Sequence, residues 1–347
     1  MSTHARKNHA VVAAIVLTLL AMVTAACGDK GGSAAPAPRK HSPSPSRTPS
    51  ASPSKTAATP ALPPGVSPFT GQKVGATRPV LAVKIDNVRQ ARPATGLAKA
   101  DLIYVEQVEA GLARILAVFS SHLPGTVGPV RSARESDLEL LREFGTPAFA
   151  YSGANSRVLP LIHKARLHDV SPARAGSTYF RGSSRPAPHN LYAKPSGLLA
   201  HAPKTSKAHD IGFRFGAAPP GGRPTGAVTV KYPAFRATFR WSPGTHRWLV
   251  SMDGAAVRAT NGVPPKPSTV VVQYVKIHPS RFGDKWGNIT PYTQSVGSGK
   301  ARVLRDGRAY DVRWSRPKPD AGTTFATASG KRMTFAPGQV WVVFAKA

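Results

Sequence analysis

Arg131 and Arg134 stand close together at the foot of a helix-period run, just after the turn Gly128-Pro129-Val130. Leu138, Leu140, Leu141 and Phe144 follow at helical spacings, and Ser132 with Glu135 forms an S-x-x-E capping box, so a helix is expected to start at Ser132. A helix N-terminus presents unpaired N–H groups and partial positive charge, and two guanidinium groups beside it would hold a carboxylate or a phosphate. Ser132 would then be both cap and ligand donor. The other outcome open to these residues is that Arg131 and Arg134 pair with Asp86, Glu106 or Glu109 and lock the fold. His189-Asn190 lies in a loop between Pro188 and Leu191, where His can exchange protons near neutral pH. With Asp86, Glu106 and Glu109 it could supply acid and base groups for hydrolysis or group transfer on a glycan or peptide. Loop His and Asn also serve as hydrogen-bonding turn formers.

Several other chemistries drop out on spacing. The 11 His include no H-E-x-x-H, and His163 and His168 are five apart rather than four, so no metal site is expected. Gly297-Ser298-Gly299-Lys300 lacks the earlier Gly and the following Ser or Thr of a phosphate loop, and is expected to be a strand-end turn. Ser52-Pro53-Ser54-Lys55 matches S-x-x-K in a segment whose composition forbids the helix that motif requires. No cofactor motif is present, and none is expected.

The elements that must position these residues follow a marked amino terminus. Arg6 and Lys7 precede the uncharged, apolar stretch Ala10 to Ala26, an export signal over residues 1–26. Thr24-Ala25-Ala26-Cys27 resembles a bacterial lipobox, although Thr24 replaces the more usual Leu or Val. Cys27 is the single cysteine of the chain, so lipidation there excludes disulfides and thiol catalysis in the body. The alternative is an uncleaved anchor, for which the apolar length is barely sufficient. Residues 27–67 are rich in Ser, Pro and Ala and form a disordered spacer that could hold the body on the order of 100 Å from the lipid. The expected location is the extracytoplasmic face of the cell membrane, with acylated Cys27 in the lipid.

Formal charge is +31 over 347 residues, which implies an anionic partner. Export argues against nucleic acid and toward an anionic cell-wall polymer or an envelope protein. Length suggests two folded domains. Residues 68–216 carry strand-like alternation at Pro79–Ile85, Leu102–Val105, Ile115–Ser120 and Pro147–Ser152, with short helical candidates at Val158–Ile162 and Ser196–His201. After Pro219-Pro220-Gly221-Gly222, residues 225–347 read as a basic β-domain. Its expected strands are Ala227–Tyr232, Phe235–Trp241, Arg247–Met252, Thr269–Ile277, Ala301–Leu304, Tyr310–Trp314, Arg332–Phe335 and Val340–Phe344. Asp253-Gly254 and Asp306-Gly307 are hairpin signals. From Gly226 to Ala347 there are 19 Lys plus Arg against 5 Asp and no Glu. The expected fold class is α+β: a mixed α/β N-terminal domain followed by a mainly antiparallel β C-terminal domain.

Longer strings carry a family resemblance. Asp86-Asn87, Arg92-Pro93, Gly96-Leu97, Ala100-Asp101, Tyr104 and Glu106 follow one another much as in the YerB-like lipoproteins. Glu109-Ala110-Gly111 and Arg114 resemble that family's Glu-Gly-Gly and Thr-Arg step, with Ala110 and Ala113 where the family tends to Gly and Thr. Gly128 to Arg134 and Ser184 to Tyr192 continue the match. Arg114 thus joins Arg131, Ser132, Arg134, His189 and Asn190 as a ligand-binding candidate. The resemblance implies a two-domain, lipid-anchored envelope protein, in a family without a known molecular function. The preferred expectation is a non-enzymatic module binding an anionic wall ligand or an envelope partner. The rival is a hydrolase or transferase acting on peptidoglycan or a related glycan through Asp86, Glu106, Glu109 or His189.

Overall fold

The computed structural model describes residues 63–347, apart from 77, 261, 285 and 286. The expected signal segment, Cys27 and all but the last few residues of the spacer lie outside the described residues. In the first region, β1 (Leu81–Asp86), β2 (Leu102–Gln107) and β3 (Ala113–Phe119) form an antiparallel set with β3 in the middle. Helix α1 (Glu135–Leu141) leads to β4 (Ala148–Ala150), which lies parallel to β1. Then come α2 (Leu159–Lys164), β5 (His168–Asp169), α3 (Pro172–Ala175), the hairpin β6 (Tyr179–Arg181) and β7 (Leu191–Ala193), and α4 (Pro195–Ala200). These helices are short, and among the described residues strand outweighs helix, 40% against 14%, organised on one large mixed sheet. The expected α/β character of the first region is correspondingly weak.

The second region begins with β8 (Arg223–Pro224), β9 (Ala227–Tyr232), β10 (Phe235–Ser242), β11 (Arg247–Met252) and β12 (Ala255–Ala256). The last four make an antiparallel sheet in the order β12-β11-β10-β9. There follow β13 (Thr269–Val275), the hairpin β14 (Ile277–Gly283) and β15 (Ile289–Thr293), β16 (Gly297–Arg305), β17 (Arg308–Arg316), β18 (Thr324–Ala326) and β19 (Val340–Lys346). Asp253 and Asp306 take φ of 52° and 51°, each followed by a positive-φ Gly, as tight hairpin turns require.

The two regions share the main sheet, whose strand order is β18-β17-β16-β13-β19-β2-β3-β1-β4-β5. Strand β19 pairs in parallel with β13 on one side and with β2 on the other. Its residues Val340 to Ala345 are all buried, as expected for a parallel central strand covered on both faces. Trp341, Val343 and Ala345 enter one hydrophobic core, with Phe239, Trp248 and Met252 of the four-stranded sheet. Val340, Val342 and Phe344 enter the other, with Leu140, Leu141 and Phe144 from and just after α1.

Three local expectations are corrected. The helix starts at Glu135, not Ser132, because residues 131–133 are drawn into extended pairing: the Arg131 amide donates to Lys84 O at 2.8 Å and the Ala133 amide to Gly153 O at 2.9 Å. Asp137, not Glu135, reaches back over the helix start, accepting the Arg134 amide at 2.7 Å. Gly297-Ser298-Gly299 is the first part of β16 rather than a turn, and a Cβ on Gly299 would lie 2.8 Å from Trp314 Nε1, so the glycine serves cross-strand packing. Arg332–Phe335 forms no strand and makes only single bridges, Arg332 to Ala326 and Phe335 to Phe215.

Because β19 completes the sheet between regions, unfolding should be one cooperative event. Trp fluorescence, which samples the second region, and far-ultraviolet circular dichroism should give superimposable denaturation curves. Val342→Asp should shift both together, by more than about 3 kcal/mol, since it buries an unpaired charge in the central strand. Two separated transitions in the wild type would contradict this dependence.

Candidate functional site

A row of charge crosses the first three strands. Register places Asp86 of β1 opposite Arg114 of β3, and Arg114 opposite Glu106 of β2. All three are buried. Strand alternation puts Lys84 on the same face as Asp86, one step along β1, in positions that otherwise carry Val80 and Ala82. Lys84 Nζ meets Glu106 Oε2 at 2.9 Å and Asp137 Oδ1 at 2.6 Å, with none of the three side chains more than 2% exposed. Burial pushes the Glu106 carboxyl up to about 7, against the opposing pull of the Lys84 ammonium, and Asp137 pushes in the same direction as burial. Lys84 itself is held above its ordinary value: burial works against its charge, but Asp137 and Glu106 together outweigh it.

Asp86 gathers three cationic or proton-bearing groups. Arg114 Nη1 lies 3.2 Å from Oδ1, Arg131 Nε 3.1 Å from Oδ2, and His189 Nδ1 2.8 Å from Oδ2. Only the His189 contact is a well-aligned hydrogen bond; a carboxylate accepts, so this bond requires the proton on Nδ1. Distance alone would count Arg131 as bonded, yet its buried Nε–H finds no aligned acceptor, nor does Arg114 Nε. Both are therefore ion pairs with hydrogen-bonding capacity left over. The extended segment before α1 sets this up, since the Asp86 amide donates to Pro129 O and the Ser152 amide to Arg131 O.

Arg134 is differently engaged. Its Nε and Nη2 donate to Glu109 Oε1 and Oε2 at 2.7 and 2.6 Å, a bidentate pair, and Thr290 Oγ1 of β15 donates to the same carboxylate at 2.5 Å. Burial opposes charge on Glu109, but Arg134 prevails and its carboxyl sits below the ordinary value. Glu109 opens the turn from β2 to β3, where Ala110 takes φ of 55°, a left-handed backbone that glycine adopts more readily.

Arg114, Arg131, Ser132 and Arg134 all line one cavity of about 780 Å³, closed on its far side by β14 and β15 through Ser280 and Thr290. Its wall also carries acids. Glu135 accepts from Ser280 Oγ at 2.6 Å and lies 3.6 Å from Arg281, and Asp284 is bonded by Asn288. Burial drives Arg114 down to about 10; Asp86 counteracts this, while Arg134 and Arg131 add to it.

Of the residues singled out in the sequence, Asp86, Arg114, Arg131 and His189 form one cluster and Glu109 with Arg134 an adjoining pair. Glu106 belongs to the buried Lys84 triad. Asn190 is apart: its amide donates to Gly182 O and accepts from Arg181, bracing the β6–β7 hairpin. Ser132 lines the cavity without capping α1. Lys84, Asp137, Ser280 and Thr290 were missed. A lysine inside Leu81-Ala82-Val83-Lys84-Ile85-Asp86, at an inward position of an apolar strand, was the available signal for the first.

Comparison with known proteins shows the family and the fold. The profile described as "Protein of unknown function (DUF3048) N-terminal domain" matches residues 68–209, and that of the DUF3048 C-terminal domain matches residues 228–342. The chain belongs to the DUF3048 family. A relative named "Putative lipoprotein YerB", from Bacillus subtilis (strain 168), is 27% identical over 290 residues, covering 80% of this chain and 85% of the relative. The crystal structure of the YerB protein from Bacillus subtilis superposes with a TM-score of 0.71 at 23% identity, over 81% of this chain and 97% of that one. The DUF3048 fold is thus shared, with the two family regions joined through β19 in this member. Among the described residues no group of three or more His, Cys, Asp or Glu is placed to hold a metal ion, and no helix is long and apolar enough to cross a membrane.

Glu106 has a measurable signature. Its folded-state value lies above 4.5, so the folded protein keeps a proton there that the unfolded chain releases. The stability it contributes is complete below 4.5 and is lost as pH rises through about 7. Denaturant titrations of wild type and Glu106→Gln should therefore diverge over this window, with the wild type losing stability relative to the variant. Parallel curves would contradict the raised value.

Proposed function

We propose that this DUF3048 protein is a membrane-tethered lipoprotein of the cell envelope, a non-enzymatic module that binds an anionic group of the wall in the Arg114, Arg131 and Arg134 cavity. The observation that carries the reading is Arg114. It is buried beside Asp86 and lines the cavity together with Arg131 and Arg134, so that three guanidinium groups share two carboxylates, Asp86 and Glu109. A carboxylate or phosphate entering the cavity would relieve that crowding and sit against the Arg114, Arg131 and Arg134 side chains that line it. An envelope partner protein offering a carboxylate would be bound by the same chemistry.

Charge and address support the same reading. A formal charge of +31 favours approach to an anionic polymer, and the relative's name contains the word lipoprotein. Cys27, after an apolar stretch and small residues, is the proposed site of acylation, with the body on the extracytoplasmic side. Hydrolysis or transfer draws less support, because Asp86, Glu106 and Glu109 are each already engaged with a cation.

Two measurements test this. The full-length protein in detergent should sediment with purified cell wall and lose most of that binding when the anionic polymer is stripped; Arg131→Ala combined with Arg134→Ala should weaken binding by roughly tenfold or more, in line with about 1.5–3 kcal/mol for charged hydrogen bonds. Retention unchanged in the double variant would remove the cavity from the account. Separately, radiolabelled fatty acid should enter the wild type and not Cys27→Ser. Absence of label in the wild type would leave an uncleaved anchor as the tether.

A further inference from the structure

The Lys84, Glu106 and Asp137 triad is left over by the function proposed above, and it has the parts of a bond-forming site. Two nearly waterproof contacts bring one primary amine against two carboxyl groups: Nζ to Asp137 Oδ1 at 2.6 Å and to Glu106 Oε2 at 2.9 Å. The exposures are 0% for Lys84 and Asp137 and 2% for Glu106. Neither acid is idle in the same way. Asp137 Oδ2 accepts the Arg134 backbone N–H at 2.7 Å, which polarises its carboxyl group. Glu106 Oε1, in contrast, is buried with no hydrogen-bond partner at all.

We infer that Lys84 Nζ and Asp137 Cγ condense, unaided by any enzyme, to an intramolecular amide, with Glu106 carrying the protons. Glu106 takes a proton from the ammonium, freeing the lone pair of Nζ. The amine attacks Cγ of Asp137, and the developing negative charge falls on Oδ2, where the Arg134 N–H already points. The C–N bond forms and the Cγ–Oδ1 bond breaks. Nζ loses two protons in all, both end on Oδ1, and Oδ1 departs as water. Glu106 returns to its starting state and nothing is oxidised or reduced, so no co-reactant is needed.

The product needs no buried charge. In the uncondensed site the ammonium is kept against burial only by Asp137 and Glu106, whereas an amide is neutral and keeps one oxygen for the Arg134 N–H. Fixed contact replaces a bimolecular encounter. The dry surroundings also withhold the water that would reverse the reaction. Glu106, raised by burial, suits the proton-carrying role near neutral pH. The cross-link would join β1 to α1 across 53 residues and fasten the segment that carries Arg131 and Arg134, in a chain whose single cysteine permits no internal disulfide.

Tryptic mapping of the full-length protein decides it. The amide blocks cleavage after Lys84, so the digest should contain one branched peptide joining Val74–Arg89 to Glu135–Arg142, lighter than the two together by one water. Glu106→Gln should give the unjoined peptides from protein whose circular dichroism matches the wild type. Cleavage after Lys84 in the wild type, with free Glu135–Arg142 of unaltered mass, overturns the inference. A branched peptide that persists in natively folded Glu106→Gln overturns the role of Glu106.

Discussion

Parallel pairing of β19 with β2 is the constraint on which the remainder of the structure depends. The strand is apolar on both faces from Val340 to Ala345, so it is stable only with a hydrophobic layer above and below and a partner along each edge. Its partners come from different regions of the chain: β13 from the second, β2 from the first. Without it, β2 and β13 would each present an open edge. Tyr232 reinforces the junction, its hydroxyl donating to Val105 O and Phe344 O across the two paired strands.

This sheet explains why so much charge is buried. Central strands leave no solvent on either face, so any polar residue at an inward position must find its partner inside. Asp86, Arg114 and Glu106 lie in one cross-strand row, and Lys84 stands one step away. The charges sort into groups that neighbour one another without merging: Lys84 with Glu106 and Asp137, Asp86 with Arg114, Arg131 and His189, and Arg134 with Glu109. The first group is enclosed. The other two open on the cavity beneath β14 and β15, so the second region supplies a wall for chemistry whose charged groups come from the first.

Family membership and the fold likeness to YerB bear on architecture, whereas binding chemistry must be argued from the side chains. What distinguishes the cavity is an imbalance of geometry rather than of simple charge. Arg134 is matched in two bonds by Glu109, while Arg114 and Arg131 share a single carboxylate at angles that leave N–H groups unused.

By itself the sequence determined the features that depend on near neighbours along the chain. Apolar alternation marked β1, β2, β3 and most strands of the second region, with β9 at the residues observed, and Asp-Gly pairs marked two tight turns because their positive φ is a local requirement. Composition separated the amino-terminal segment from the body. Tertiary structure alone decided matters of long-range pairing. The helix start moved to Glu135 because Arg131 and Ala133 bond to strand and loop segments far along the chain. Gly297 to Gly299 became strand because they pair with Trp314 to Arg316 of β17, and Arg332–Phe335 stayed irregular for want of a continuous partner. The β14–β15 hairpin, interrupted by Pro279 and Pro291, carried no clear strand period, and so its contribution to the cavity was illegible. Which acids the arginines would meet followed from the register of β1, β2 and β3 and from the bonding of the segment before α1 to β1, and register is set by side-chain packing across the sheet.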